Sequence, residues 1–143
     1  MIIKQLSVFL ENKQGRLEAA VEILASAGID ISALSLADTA DYGVLRLLVD
    51  QPALAEEKLS ESGIIVRQTR VNAVAMKDVP GGAYGILRLL SGTGISIEYM
   101  YACVGRVSGE ALMVLRTDDT EKAEKLLEDN GFNNVSPQDI YRI

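Results

Sequence analysis

Two short polar loops, one in each half of the chain, hold the residues whose types and spacing suit ligand chemistry. Asn12 precedes Gly15 in the first loop, and Asp78 precedes Gly81 at the same distance in the second. Each loop leads into a predicted helix, where unpaired backbone N–H groups and the helix dipole favour a carboxylate. The Asp78 carboxylate can bind an ammonium group, and the Asn12 amide can donate or accept a hydrogen bond. Carboxylate and ammonium together are the common feature of free α-amino acids.

The same residues also have a purely structural interpretation. Glycine at a strand-to-helix turn often serves backbone geometry, and Asn or Asp before a helix is often its N-cap. The residues alone leave both interpretations open. Because Asn12 stands where the second loop has Asp78, two ligand sites, if both exist, are not equivalent.

Composition narrows the chemistry that the chain can perform. Its 143 residues include no histidine and one cysteine, Cys103, which removes the commonest general base, internal disulfides and CxxC redox chemistry. A formal charge of −6, from 14 basic and 20 acidic residues, argues against nucleic-acid and anionic membrane partners. No stretch reaches the roughly 18 apolar residues of a membrane span, and no signal-peptide pattern is present. We therefore expect a cytoplasmic protein that is not an enzyme and uses no metal or cofactor.

The elements around the two loops occur twice along the chain. Residues 11–31 match residues 77–97 at a shift of 66 positions. Residues 44–64 match residues 112–132 at a shift of 68 positions. Two matches in the same order, each with glycines at helix ends, favour an internal duplication.

Each half is predicted to have the element order βαββαβ. Leu6, Val8 and Leu10 alternate with polar or bulky neighbours, as in a half-buried strand. Asp50 is the predicted N-cap of a helix whose first turn contains Pro52. The later predicted strands span residues 29–36, 44–49 and 64–70 in the first half and residues 71–76, 95–104, 111–117 and 135–141 in the second. A turn is predicted at residues 38–43, and a hairpin turn is predicted across residues 105–109.

This order predicts an α+β fold of two tandem ferredoxin-like plaits. Each plait is a four-stranded antiparallel sheet with two helices on one face. The predicted domains are residues 1–70 and residues 71–143. Residues 64–76 contain no Gly or Pro, so the last strand of one half is expected to run directly into the first strand of the next.

One family shares this local pattern. Residues 6–31, LSVFLENKQGRLEAAVEILASAGIDI, resemble the opening of an ACT domain: strand, polar loop with Gly, helix, and a Gly–Ile–x–Ile step into the second strand. Residues 74–97 resemble the family's Asp-x-Pro-Gly pattern through Asp78, Pro80 and Gly81. The first copy departs from that pattern at Gln14, in place of the proline, and the second departs at Gly82, where a bulkier residue is commoner. The resemblance covers nearly the whole chain as two ACT modules.

The resemblance implies that a free amino acid binds between paired modules, against the loops and the starts of the second strands. The implied binding residues are Asn12, Lys13, Gln14, Gly15, Arg16, Leu17, Ile29, Asp30, Ile31, Asp78, Val79, Pro80, Gly81, Gly82, Ala83, Ile95, Ser96 and Ile97. It also implies a stand-alone regulatory protein of amino-acid metabolism without catalytic activity. An exposed plait edge favours side-by-side pairing, so a homodimer is expected.

An alternative function is an interaction subunit without a ligand of its own. The first copy also resembles the N-terminal part of the small regulatory subunits of acetohydroxyacid synthase. Such a subunit pairs with an enzyme partner. Catalysis by this chain itself is disfavoured, because the sequence has no nucleophile–base pair and no metal-ligand cluster.

Overall fold

The computed structural model describes residues 1–39, 41–103, 109–132 and 135–141. The elements are β1 (Ile2–Glu11), α1 (Arg16–Ser26), β2 (Ile31–Asp38), β3 (Tyr42–Val49), α2 (Pro52–Glu61), β4 (Ile65–Lys77), α3 (Gly82–Gly92), β5 (Ile97–Cys103), β6 (Glu110–Thr117), α4 (Thr120–Asp129) and α5 (Pro137–Ile140). The predicted α+β content is therefore present. The chain divides into two compact units, which we call unit I, mainly Lys4–Thr69, and unit II, Met1–Ile3 together with Arg70–Ile140.

Unit I contains an antiparallel sheet in which β3 lies between β2 and β1. Residues 65–69 of β4 lie on the other side of β1, where the Ser7 and Thr69 hydroxyl oxygens are 3.2 Å apart. Both helices pack on one face of this sheet, because their apolar stripes meet the inward side chains of the strands. The buried core consists of Leu6, Val8, Leu10, Ala20, Leu24, Ile29, Leu45, Leu47, Val49, Ala55 and Leu59.

Unit II places β6 between β5 and residues 70–77 of β4. On the other side of β4, the Ala73 N–H donates to the Met1 carbonyl at 2.8 Å, and the Met1 nitrogen donates to the Ala73 carbonyl at 3.0 Å. The core of this unit is again formed by two helices and the inward residues of the strands. Its buried members are Val74, Met76, Ile86, Leu90, Ile95, Leu115, Ala123 and Leu127.

The junction of the two predicted halves is one continuous strand. Residues 64–70 and 71–76, predicted as separate strands, merge into β4. This agrees with the expectation that one strand runs directly into the next where no Gly or Pro intervenes.

The predicted last strand, residues 135–141, is wrong. Pro137–Ile140 forms the short helix α5. The Ser136 N–H and hydroxyl donate to the Asp139 carboxylate at 2.7 and 2.6 Å, and Pro137 is the first helical residue. Ser-Pro-x-Asp thus starts a helix by capping and by the fixed φ of proline, which overrides the strand propensity of the flanking residues. The predicted hairpin turn lies outside the described residues except for Gly109.

Candidate functional site

The loop between β1 and α1 in unit I begins after Glu11 and ends at Gly15. Gly15 has a φ of 83°, a left-handed conformation that glycine adopts without strain, and no side chain caps the helix that follows. The capping interpretation of Asn12 is therefore wrong. Its amide instead donates to the Asp38 carboxylate at 2.7 Å and to the Thr39 carbonyl at 2.6 Å. Asn12 thereby joins this loop to the end of β2.

Two basic side chains lie beside the carboxylate of Glu11. The Lys13 ammonium is 3.0 Å from a Glu11 carboxylate oxygen, and the Arg16 guanidinium is 3.7 Å from the same atom. The hydrogen bond and charge of Lys13, followed by the charge of Arg16, hold the pKa of Glu11 below its ordinary value of 4.5. All three side chains are substantially exposed to solvent.

An open cavity of about 460 Å³ lies beside this loop, entirely within unit I. Its volume falls within the range of roughly 300–1,000 Å³ that is usual for small-molecule sites. It combines charged groups with aliphatic walls. The lining residues are Leu10, Glu11, Asn12, Lys13, Arg16, Leu17, Leu36, Asp38 and Gly43.

Two acidic residues, Glu11 and Asp38, line this cavity. Among the described residues, Asp38 forms no ion pair with a cation. Its hydrogen-bond partner there is the neutral amide of Asn12. Glu11, in contrast, is occupied by Lys13 and Arg16. The cavity therefore offers an available carboxylate, two nearby cations and the uncapped start of α1, which suits a small zwitterion.

The corresponding loop of unit II is built differently. Gly81 repeats the φ of 83° and α3 also lacks a side-chain cap. However, Val79 and Gly82 stand where unit I has Lys13 and Arg16, so neither cation is present. A Cβ at Gly82 would lie 2.1 Å from the Lys77 carbonyl oxygen, so no side chain fits there. This close approach of the backbone explains why residue 82 is a glycine.

The other predicted binding residues of this loop have unremarkable surroundings. Asp78, Val79 and Pro80 are exposed, and the Asp78 N–H donates to the Gly109 carbonyl at 3.2 Å. Ala83 is half-buried and packs against the core of unit II. In unit I, Gln14 and Gly15 are exposed loop residues that do not line the cavity.

The starts of the second strands lie far from the loops of their own unit. In unit I, Ile31 pairs with Val49, whereas Glu11 and Asp38 lie beside Tyr42 and Gly43. Val49 lies six residue steps along the strand from Gly43, which corresponds to about 20 Å at ~3.3 Å per step. Unit II repeats this arrangement, because Ile97 pairs with Thr117 and Lys77 pairs with Glu110. Within each unit, the two predicted parts of the site are not brought together.

These strand starts form the same turn in both units. The Asp30 N–H donates to the Asp50 carboxylate at 3.0 Å, and the Asp50 N–H donates to the Asp30 carbonyl at 3.2 Å. The Ser96 N–H donates to the Asp118 carboxylate at 3.0 Å, and the Asp118 N–H donates to the Ser96 carbonyl at 3.1 Å. The adjacent isoleucines, Ile29 and Ile95, are buried in the two cores. Ligand contact is therefore not needed to explain these residues.

Five cavity residues were missed by sequence reasoning: Leu10, Glu11, Leu36, Asp38 and Gly43. Leu10 was assigned to the core, and Asp38 and Gly43 were assigned to a turn. The pairing of Asp38 with Gly43 and of Leu10 with Gly43 brings three of them to the loop. The turn signal at residues 38–43 was the available clue, since a hairpin end must lie beside the end of β1.

No group of three or more His, Cys, Asp or Glu side chains in the described segments is placed to hold a metal ion. None of the helices described is both long enough and apolar enough to span a membrane.

Comparison with known proteins gives a match over the full length. The family model for the ACT domain pair matches residues 1–143. A solved structure of a protein from Bacteroides thetaiotaomicron is 36% identical, with a TM-score of 0.91, and the match covers 100% of this chain and 98% of that chain. No curated protein matches.

More distant solved structures share the fold. The regulatory subunit of aspartate kinase from Thermus thermophilus, in its ligand-free form, is 14% identical with a TM-score of 0.62, over 90% of this chain and 96% of that chain. The corresponding subunit from Thermus flavus is 15% identical with a TM-score of 0.59, over 90% of this chain and 94% of that chain.

Proposed function

Since the chain belongs to the ACT domain family, as a pair of ACT domains over residues 1–143, we propose that it is a non-catalytic regulatory protein that binds a free amino acid in the unit I cavity. The observation that carries this proposal is the set of charges around that cavity. Lys13 and Arg16 supply cations, and Asp38 supplies a carboxylate whose partner among the described residues is a neutral amide.

The proposed contacts follow from this set of charges. The ligand carboxylate binds Lys13 and Arg16 next to the uncapped N-terminus of α1, where the helix dipole adds a favourable field. The ligand ammonium binds the Asp38 carboxylate, and in doing so it competes with the Asn12 amide. Binding therefore changes the link between the β1–α1 loop and the end of β2, and a partner protein reads that change.

Unit II is proposed not to bind an amino acid in this way. Its loop has Val79 and Gly82 in place of Lys13 and Arg16, and Gly82 cannot carry a side chain. One ligand per chain is therefore expected. Of the residues predicted for the site, this proposal retains Asn12, Lys13, Arg16 and Leu17 and adds Asp38.

Calorimetric titration with each of the twenty amino acids, up to millimolar concentration, tests the function. We expect saturable binding of at least one amino acid, at one site per chain. Asp38→Asn keeps the shape of the side chain and removes its charge, so affinity is expected to fall about ten-fold or more. Asp41→Asn is the matched control, because Asp41 lies in the same turn but does not line the cavity. Binding by none of the twenty amino acids contradicts the proposal.

The partner that reads the ligand is proposed to be a separate enzyme. The two Thermus proteins are described as regulatory subunits of aspartate kinase, and they match nearly their full length. Their low identity supports no choice between an aspartate kinase and an acetohydroxyacid synthase type of enzyme. Capture from native extract with and without the bound amino acid distinguishes these partners.

Homodimerisation and the modular boundaries also stay proposals. Strand β2 lies at the edge of the unit I sheet, where the backbone of an edge strand favours pairing with a second copy. We propose that residues 1–70 and 71–143 are the two modules, each related to a four-stranded plait. The four strands and two packed helices of unit I support this description for the first module.

A further inference from the structure

Exposed leucines form the apolar part of the unit I cavity. Leu17 is 39% exposed on the first turn of α1, and Leu36 is 50% exposed on β2. Both line the cavity together with Leu10, which is 5% exposed. Large aliphatic side chains left open to water beside a concave surface are typical of a surface that another apolar group covers.

Gly43 increases the space between these leucines and the polar side of the cavity. A Cβ at this position would lie 3.2 Å from the Leu36 Cδ1 atom and 3.4 Å from the Asn12 Oδ1 atom. Gly43 does not have a positive φ, so its backbone conformation does not require glycine. The absence of a side chain at this position therefore leaves room between Leu36 and Asn12. The position that corresponds to it in unit II is Ala111, because Gly43 pairs with Leu10 and Ala111 pairs with the equivalent Met76.

The charges of the cavity are accounted for by the α-carboxylate and α-ammonium of the ligand. Lys13 and Arg16 face Glu11, and Asp38 is assigned to the ammonium. A second charge on a ligand side chain that extends over Leu10, Leu17 and Leu36 would lie against apolar walls and lose hydration there. An aliphatic side chain gains from the same contact.

We infer that the unit I cavity selects amino acids with an uncharged aliphatic side chain, with Leu17 and Leu36 as its walls and Gly43 setting the size limit. This inference rests on the proposed function of the same cavity. Each methylene buried against the walls is expected to raise affinity about four-fold until the space beside Gly43 is filled.

Calorimetric titration of the full chain with glycine, alanine, 2-aminobutyrate, norvaline and norleucine tests the side-chain dependence. Affinity is expected to rise along this series, and aspartate and lysine are expected to bind at least ten-fold more weakly than norvaline. Leu36→Ala removes one wall, so norvaline affinity falls at least ten-fold while glycine affinity stays within two-fold. Leu34→Ala is the matched control, since Leu34 is 58% exposed on the same strand but does not line the cavity.

Gly43→Ala tests the size limit separately. This substitution is expected to lower the affinity for norleucine at least ten-fold. The affinity for alanine is expected to stay within two-fold of its original value, and the circular dichroism spectrum is expected to be unchanged. Preference for aspartate or lysine over norvaline, or equal losses for glycine and norvaline in Leu36→Ala, overturns the inference and leaves the proposed function intact. Binding of no amino acid at all overturns the proposed function as well. If Gly43→Ala does not fold, comparison of Leu36→Ala with Leu34→Ala still tests whether the cavity selects an aliphatic side chain.

Discussion

At the scale of single residues, the Glu11 carboxylate determines how free the two cations of the cavity are. Lys13→Ala removes the hydrogen bond and the charge that lower the pKa of Glu11 most. The pKa of Glu11 is therefore expected to rise towards its ordinary value of 4.5. NMR titration of the Glu11 side-chain carboxyl measures this change directly.

The sign of the pH dependence follows from the lowered pKa. The Glu11 ion pairs contribute to stability above the ordinary pKa of 4.5, and this contribution is lost as the pH falls through the lower folded pKa. Protonation also releases Lys13 and Arg16 from Glu11. Arg88→Ala, which removes an exposed cation on α3 of unit II, is expected to leave the Glu11 titration unchanged. An unaltered Glu11 pKa in Lys13→Ala contradicts the assignment of Lys13 as its main partner.

The site residues that are close together in the sequence could be predicted. The residues that reach the site only through the pairing of strands could not. Asn12, Lys13, Arg16 and Leu17 follow one another along the loop and the first helical turn, so the sequence pattern identifies them. Asp38 reaches the same cavity only because β2 and β3 pair in one particular register. A shift of that register by one residue would turn its side chain to the other face of the sheet.

At the scale of elements, both units use an aspartate to close the turn that precedes the second strand. Asp50→Ala removes the acceptor of the Asp30 N–H bond, and Asp118→Ala does the same for Ser96. Each substitution is expected to lower the free energy of unfolding by about 1 kcal/mol, because a backbone N–H loses its charged partner at a solvent-exposed site. Urea denaturation followed by circular dichroism measures the loss.

A nearby aspartate with a different role provides the control. Asp41 lies in the turn before β3, and only its backbone carbonyl is hydrogen-bonded to Asn12. Asp41→Ala is therefore expected to change the free energy of unfolding by less than about 0.5 kcal/mol, as for an ordinary surface position. Equal losses of unfolding free energy in Asp41→Ala and Asp50→Ala would contradict the proposal that the Asp50 carboxylate stabilises the turn at Asp30.

Helix starts explain which elements the sequence could predict. Asp50 was predicted to cap α2, but the N-cap is Gln51 and the Asp50 carboxylate is used by Asp30. In unit II, Asp119 follows Asp118 and is the N-cap of α4, because its carboxylate accepts a hydrogen bond from the Lys122 N–H at 3.0 Å. A one-residue difference in helix start thus decides whether an aspartate caps or closes a turn. Such differences depend on packing, which local patterns do not specify.

At the scale of the whole molecule, the repeat was the most informative feature of the sequence. The paired turns at Asp30 and Ser96 lie 66 positions apart, and their partners Asp50 and Asp118 lie 68 apart, as in the two sequence matches. The copies nevertheless differ at their loops, where Lys13 and Val79 occupy the same place. Duplication therefore explains the shared architecture, and the loops carry the differences relevant to binding.

The two units have separate cores but share strands of the chain. Leu24 and Leu90, which correspond at a shift of 66 positions, are both fully buried, one in each core. Strands β1 and β4 each contribute residues to both units. Because each of these strands carries residues of both units, we expect a single cooperative unfolding transition.

Leu24→Ala and Leu90→Ala are each expected to lower the free energy of unfolding by about 3 kcal/mol, from lost burial and the cavity left behind. Hydrogen exchange followed by mass spectrometry reads the two units separately in the same sample. If unfolding is cooperative, Leu24→Ala lowers the protection of core peptides in unit II as well as in unit I. Leu34→Ala, at an exposed position, is expected to leave both sets unchanged. Loss of protection confined to unit I would show that the two ACT modules unfold independently.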